Sequence, residues 1–335
     1  MYNQNKLAIR QLVLISILLA IVVVSLGAYA RLTHAGLGCP DWPGCYGMID
    51  VPVSAEQLDK AKQAFPDQVV DPEKAWNEMI HRYFAGALGL LILVIAFLSF
   101  RNRRQGTPLR LPLLILVIVT FQAALGMWTV TMKLMPIVVM AHLLGGFTTL
   151  CLLFLLYLRL NPYRLATGDF SVKKYGRYGL IGIVILTAQI ALGGWTSSNY
   201  AALTCTELPI CQSGWEERLT FEDSFDLIPP EKETYEFGHL DHNERLTIHV
   251  VHRIGAIVTS LYLAWLALMV FIKSETVFFK KLSVFLAVLL VTQISLGISN
   301  IWFSLPLGVA VGHNIVAAFL MLSLIMLTYS LRRKI

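Results

Sequence analysis

Eight apolar runs, each about 20 residues long, dominate this chain and leave it few ways to fold. They lie at 11–30, 80–100, 111–131, 137–158, 177–197, 247–272, 280–301 and 306–330. None shows the period-2 alternation of strands or the 3.6-residue periodicity of a half-exposed soluble helix. Runs of this length match the roughly 30 Å of a hydrocarbon core. In lipid, only a helix satisfies the backbone hydrogen bonds of such a segment internally. Charged residues make up 14% of the 335, well under the roughly 25% of a soluble domain. The expected class is therefore an all-α integral membrane protein with eight transmembrane helices. Lys6 and Arg10 before the first run imitate a secretory signal. That run leads, however, through Ala28–Ala30 into Arg31 and a loop belonging to an internal repeat, so it is read as a retained helix.

Charge sorts by side. Lys and Arg cluster at Arg101, Arg103, Arg104 and Arg110, at Arg159, Arg164, Lys173, Lys174 and Arg177, at Lys273, Lys280 and Lys281, and at Arg332, Arg333 and Lys334. All of these fall on the side of the N-terminus, so both termini are expected in the cytoplasm. Of 21 acids, only Asp169 and Glu275 share that side; the rest lie in 41–78 and 207–244. The net charge of +6 is thus a topology signal and gives no reason to expect nucleic acid as a partner.

The chain is duplicated. Leu26-Gly27 is followed twelve residues later by Cys39-Pro-Asp-Trp-Pro43-Gly-Cys45, and Leu192-Gly193 at the same distance by Cys205-Thr-Glu-Leu-Pro209-Ile-Cys211. Beyond these loops the pairs His81/His252, Gln122/Gln293, Gly126/Gly297 and His142/His313 hold a constant offset of 171 residues. Such a register predicts two four-helix bundles, 1–165 and 166–335, related by a pseudo-two-fold axis along the membrane normal. The junction lies in the stretch 160–176.

Four of the eight histidines obey the repeat. A histidine near a helix end often only marks the membrane interface. Four at equivalent positions are harder to set aside, because ionisable groups within a membrane are costly and tend to be functional. His81, His142, His252 and His313 are expected within the first two turns of the even-numbered spans, near the outer face. Two imidazoles on facing helices suit the two sides of a porphyrin. Zinc would want three or four ligands gathered in one place. Arg82 and Arg253 follow two of these histidines and either pair with haem propionates or snorkel to the interface.

Cys151 lies deep in a span and reads as a packing residue. The other four cysteines form two Cys-x5-Cys pairs in the outer segments. Cys39 with Cys45 and Cys205 with Cys211 read as disulfide staples, as redox-active dithiols, or as a metal site of four thiols. The acidic outer segments 39–77 and 199–246 are expected to lid the haem sites. His34, His239 and His242 have no repeat partners and read as surface residues.

One difference between the halves stands out: three residues before its histidine, the first half carries Glu78 where the second carries His249. A spacing of three places Glu78 on the face of His81, directed at whatever that histidine binds. It can also serve simply as a first-turn acid favoured by the helix dipole. On the first reading the N-terminal half is the chemical site and the C-terminal half an electron-transfer site.

These residues resemble the haem A synthases. Arg31-Leu-Thr-His-Ala-Gly-Leu-Gly-Cys39-Pro-Asp-Trp-Pro-Gly-Cys45 is similar to that family's first outer loop, and Glu78-Met-Ile-His81-Arg82, His142-Leu-Leu-Gly-Gly, His252-Arg253 and Gly312-His313 are similar to its ligand motifs. The resemblance covers essentially the whole chain. It implies a bacterial inner-membrane oxidoreductase that converts the position-8 methyl group of haem O to the formyl group of haem A for cytochrome oxidase. By that resemblance His81 and His142 ligate the substrate haem O, His252 and His313 a resident haem b, and Glu78 is the essential acid. It implies a course of successive hydroxylations with water as oxygen source, ending in loss of water from a gem-diol. Haem O synthase and cytochrome oxidase assembly factors are the partners it implies. The electron acceptor, a quinone or another, and homo-oligomerisation stay open.

Two rivals come from other classes. A dihaem b-type electron-transfer protein linked to quinol would hold two equivalent, permanently bound haems. A haem transporter would have no use for Glu78.

Overall fold

The computed structural model describes residues 2–160 and 169–333, with residues 2–4 as backbone. The expected junction at 165/166, with Arg164 and Lys334, lies outside the described residues. In chain order the helices are α1 (Tyr2–Leu32), α2 (Ala55–Ala64), α3 (Pro72–Arg101), α4 (Arg110–Thr131), α5 (Pro136–Leu160), α6 (Tyr175–Ser198), α7 (Phe221–Ser224), α8 (His242–Lys273), α9 (Val277–Trp302) and α10 (Leu307–Arg332). Eight of them, all but α2 and α7, are long and apolar enough to cross a membrane. No β-strand occurs among the described residues; Cys45 and Met48 form one isolated bridge.

Polar caps start α3 and α8 several residues before their apolar runs. The Asp71 carboxylate caps α3 by accepting from the N–H groups of Glu73 and Lys74 at 3.1 and 3.2 Å, with Pro72 opening the helix. Asp241 and Glu244 form a capping box at the start of α8. Local polar signals therefore carry both helices beyond the hydrocarbon-length segment. His81 and His252 consequently sit in the third turn rather than the first two, whereas His142 and His313 lie in the second.

The chain divides into two compact units, Met1–Leu160 with Ile228–Phe237, and Asn161–Leu227 with Gly238–Ile335. In the first, α1 packs on α3 and α5, and α4 packs on the same two helices, closing a four-helix ring. In the second, α6 packs on α8 and α10, and α9 packs on the same pair. Leu150, Leu153 and Leu156 of α5 fill the first interior, and Leu263, Leu266 and Val270 of α8 with Leu324 and Leu327 of α10 the second. Their outward faces are apolar as well: Leu90, Leu93 and Phe97 on α3 are exposed, as are Val284, Val288 and Val291 on α9. That distribution suits lipid as the surrounding solvent.

The duplication reaches the backbone. His34 and Tyr200 end α1 and α6 with φ of 53° and 54°, and Lys133-Leu134 and Ser304-Leu305 turn into α5 and α10 with φ between 51° and 64°. Trp42–Pro43 and Leu208–Pro209 are both cis.

Ile228–Phe237 breaks the symmetry. Drawn from the segment between α6 and α8, it packs in the first unit. The backbone N–H of Tyr235 donates to the Lys133 carbonyl at 3.0 Å, and the Phe237 ring lies 5.2 Å from that of His34. His34 was expected as a plain surface residue; it is half-buried and takes part in this packing. His239 is half-buried and His242 is exposed at the start of α8.

At the far end of the second unit, Asp169 ties the α8–α9 junction. Its carboxylate accepts from the Ser171 hydroxyl, from the Ser274 hydroxyl at 2.7 Å, and from the N–H groups of Glu275 and Thr276 at 2.8 and 3.0 Å. Burial opposes ionisation of Asp169, yet these hydrogen bonds hold its carboxyl below the usual carboxylate range.

Candidate haem sites

In the first unit His81 on α3 faces His142 on α5. Their ring centroids are 6.3 Å apart and their planes are inclined at 79°. With metal–imidazole bonds of roughly 2 Å, that separation leaves room for one metal atom between the rings. In the second unit His252 on α8 and His313 on α10 lie within electrostatic reach of each other. Among the described residues no three His, Cys, Asp or Glu side chains gather into a site for a bare metal ion.

Each imidazole is backed by a glycine from a neighbouring helix. A Cβ placed on Gly27 would stand 3.1 Å from Cε1 of His81, one on Gly126 3.2 Å from His142, one on Gly193 3.2 Å from His252, and one on Gly297 3.3 Å from His313. Contacts at 3.0–3.4 Å are tighter than side chains tolerate without a shift, so these glycines fix how close the ring can lie. Gly193→Val is accordingly expected to displace His252 and cut the haem retained by the purified protein severalfold, as read from its absorption spectrum. Unchanged haem content would refute this role for the glycine.

Glutamines hold three of the four rings. Gln122 Nε2 lies 3.0 Å from His142 Nδ1, Gln189 Nε2 3.0 Å from His252 Nδ1, and Gln293 Nε2 3.1 Å from His313 Nε2. The Oε1 atoms of all three are buried without a partner. An iron-bound histidine uses Nε2 and presents Nδ1–H to an acceptor. Turning over the Gln122 and Gln189 amides would supply it, in exchange for their bonds to the backbone carbonyls of His142 and His252; at His313 it is Nε2 that faces the amide, so that ring must itself reorient to offer Nε2 to iron. The donor set therefore fits a bis-histidine haem in each unit. Sequence reasoning noted Gln122 and Gln293 only as repeat markers and missed Gln189, although it stands four residues before Gly193 as they do before Gly126 and Gly297.

The two arginines turn toward the outer loops. Arg82 Nη1 donates to the carbonyls of Asp41 at 2.8 Å and Gly44, and Nη2 pairs with the Glu78 carboxylate. Arg253 Nη1 donates to the carbonyls of Glu207 at 2.6 Å and Ile210, and Nη2 to that of Cys205. Both guanidiniums thus clasp the cysteine loop of their own unit, which leaves few donors for a propionate. The sequence suggests an arginine free to face a ligand because it does not show that the loop folds back over the helix.

Glu78 belongs to the same clasp. It is 6% exposed, and its carboxylate accepts from the Cys39 N–H at 2.9 Å while pairing with Arg82. His249 takes its place in the second unit: Cys205 N lies 3.3 Å from its Nδ1 and Arg253 Nε 3.2 Å from its Nε2. A carboxylate accepts both bonds at once, whereas a neutral imidazole can accept only one. In both loops the sulfurs are bonded, Cys39 to Cys45 and Cys205 to Cys211. Around the first, Tyr46, Val51, Ala61, Ala75 and Met79 form a small core; around the second, Leu246 and Val250 do so with Trp215 and Leu219. Burial raises the pKa of the Tyr46 hydroxyl, with the charges of Asp71, Glu78 and Asp41 adding to the effect. Cys151 is a free, half-buried thiol on α5.

A polytopic helical membrane protein with a pair of half-buried, glycine-backed imidazoles in each of two units is the class these features define. Residues 10–325 match the family model described as cytochrome oxidase assembly protein, and the chain belongs to that family. It is 52% identical over 320 residues to the haem A synthase of Shewanella oneidensis, covering 96% of each chain. It is 26% identical to the haem A synthase of Rhizobium meliloti, over 93% of this chain and 86% of that one. It is 25% identical to the haem A synthase of Neorickettsia sennetsu, over 92% and 94%.

Proposed function

We propose that this chain is a haem A synthase of the bacterial inner membrane, oxidising the position-8 methyl group of haem O to a formyl group. The substrate lies between His81 and His142 in the first unit, and a resident haem b between His252 and His313 in the second. When bound, haem b supplies one-electron redox chemistry. Converting a methyl to a formyl group with water as oxygen donor releases four electrons and four protons, so the site needs a proton acceptor and an electron outlet. Glu78 is the group this reading assigns to proton transfer or to stabilising positive charge at the methyl carbon. In that role its carboxylate exchanges its bond to Cys39 N–H or Arg82 for one with the reacting water. The resident site needs no such acid and carries His249.

The observation that carries the reading is this substitution within matched cages. Two haems with equal electron-transfer duties would give no reason for a carboxylate in one clasp and an imidazole in the other. Membership of the cytochrome oxidase assembly family supports the same assignment, and the partners that this reading implies are haem O synthase and assembly factors.

Extracting and chromatographically resolving the pigments of the purified full-length protein tests it. The expected result is one haem b per chain plus a substoichiometric second haem of the O, alcohol-intermediate or A type. Two equivalents of haem b and nothing else would instead favour the dihaem electron-transfer protein.

A further inference from the structure

The four imidazoles are not held alike. Gln122, Gln189 and Gln293 each stand four residues before a ring-backing glycine and place an amide on a histidine; before Gly27 that position is Val23. His81 Nδ1 is buried without a side-chain partner. Only the Val23 backbone lies beside it; His313 Nδ1 is likewise without a partner, but that ring still meets the Gln293 amide through Nε2, whereas His81 meets no side-chain amide. Elsewhere the amide is built in. A Cβ on Gly145 would strike the Gln122 amide, and one on Gly255 the Gln189 amide.

We propose that residue 23 and its counterpart 189 are positioning residues that set how long each unit keeps its haem. Val23 makes His81 the loosely held ligand through which substrate enters and product leaves, and Gln189 locks His252 to its resident haem. This rests on the synthase reading, which gives the first site an exchanging haem and the second a permanent one. An acceptor at Nδ1 fixes ring orientation and strengthens the imidazole as a donor, and loss of such a partner typically weakens metal binding by about 10–100-fold. A cage that must release its product gains by leaving His81 without a side-chain partner, and a cage that must retain its haem gains by the Gln189 amide on His252.

The test uses the full-length, detergent-solubilised protein with its haems and apomyoglobin as haem acceptor. The wild type is expected to lose haem in a fast phase, from the His81/His142 site, and a slow one. Val23→Gln should slow the fast phase about tenfold or more, and Gln189→Val should quicken the slow phase comparably. The potentials should move in opposite directions: lower for the first haem in Val23→Gln, because a stronger donor favours ferric iron, and higher for the second in Gln189→Val. A merely structural disturbance would not produce these opposed shifts. If Val23→Gln does not accumulate, Gln189→Val decides alone. Unchanged rates and potentials with both haems present would overturn the proposal and leave the synthase reading intact. If His81→Ala does not alter the wild-type haem content or its fast phase, the synthase reading fails first and this inference falls with it.

Discussion

Alanine at His252 or His313 is expected to abolish the low-spin haem spectrum of the purified protein, whereas His81→Ala leaves most of it in place. The second unit holds both of its histidines with side-chain amides, through Gln189 and Gln293, and backs both with glycine. Such a cage is built for retention, so its haem should dominate the isolated protein, and loss of one axial ligand removes the six-coordinate state that gives the spectrum its form. His81 belongs to the site proposed to exchange its occupant and contributes little to the steady-state pigment. Absorption spectra of dithionite-reduced membranes from the three variants check this. Equal loss in all three would mean two equivalent haems, or a shared collapse that trypsin sensitivity would expose.

The second large effect concerns Glu78, and the protein itself suggests the decisive substitution. Because His249 stands between Cys205 and Arg253 in the second unit, Glu78→His is expected to keep the site filled and one of the two clasp bonds while removing the carboxylate. If Glu78 serves only to bind Arg82 and the Cys39 N–H, that variant retains haem A formation. On the proposed role it loses it, by about 10²–10⁴-fold as expected for a displaced general acid–base group, while the resident haem spectrum stays unchanged. Glu78→Gln should behave likewise. Haem A measured in cells supplying haem O separates the two outcomes, and near-normal levels in Glu78→His would remove the catalytic assignment.

Most of the fold is legible because lipid leaves so few options: span length and the histidine register together give eight helices and one histidine pair in each half. What was not legible depended on contacts across elements. Gln189 is one polar residue in an apolar run, and its link to His252 exists only once α6 and α8 are packed in register. Arg82 and Arg253 follow their histidines in sequence, but their guanidiniums turn back to loops about 40 residues upstream. Helix starts were displaced for a local reason, since Asp71 and Asp241 cap helices well outside the apolar windows. Glu78 is legible as the position where the halves differ, yet its spacing from His81 says nothing of its bonds to Cys39 and Arg82.

The ten residues Ile228–Phe237 bear on the protein's ancestry. A duplicated gene begins as two self-sufficient copies, and either could in principle be lost, swapped or encoded separately. Here the later copy supplies part of the packing of the earlier one, with Tyr235 bonded to the turn before α5. A gene split between the halves would encode a first product missing a piece of its own structure. The first unit is in that sense not encoded in one stretch: its packing is completed by ten residues that come after α6 in the chain.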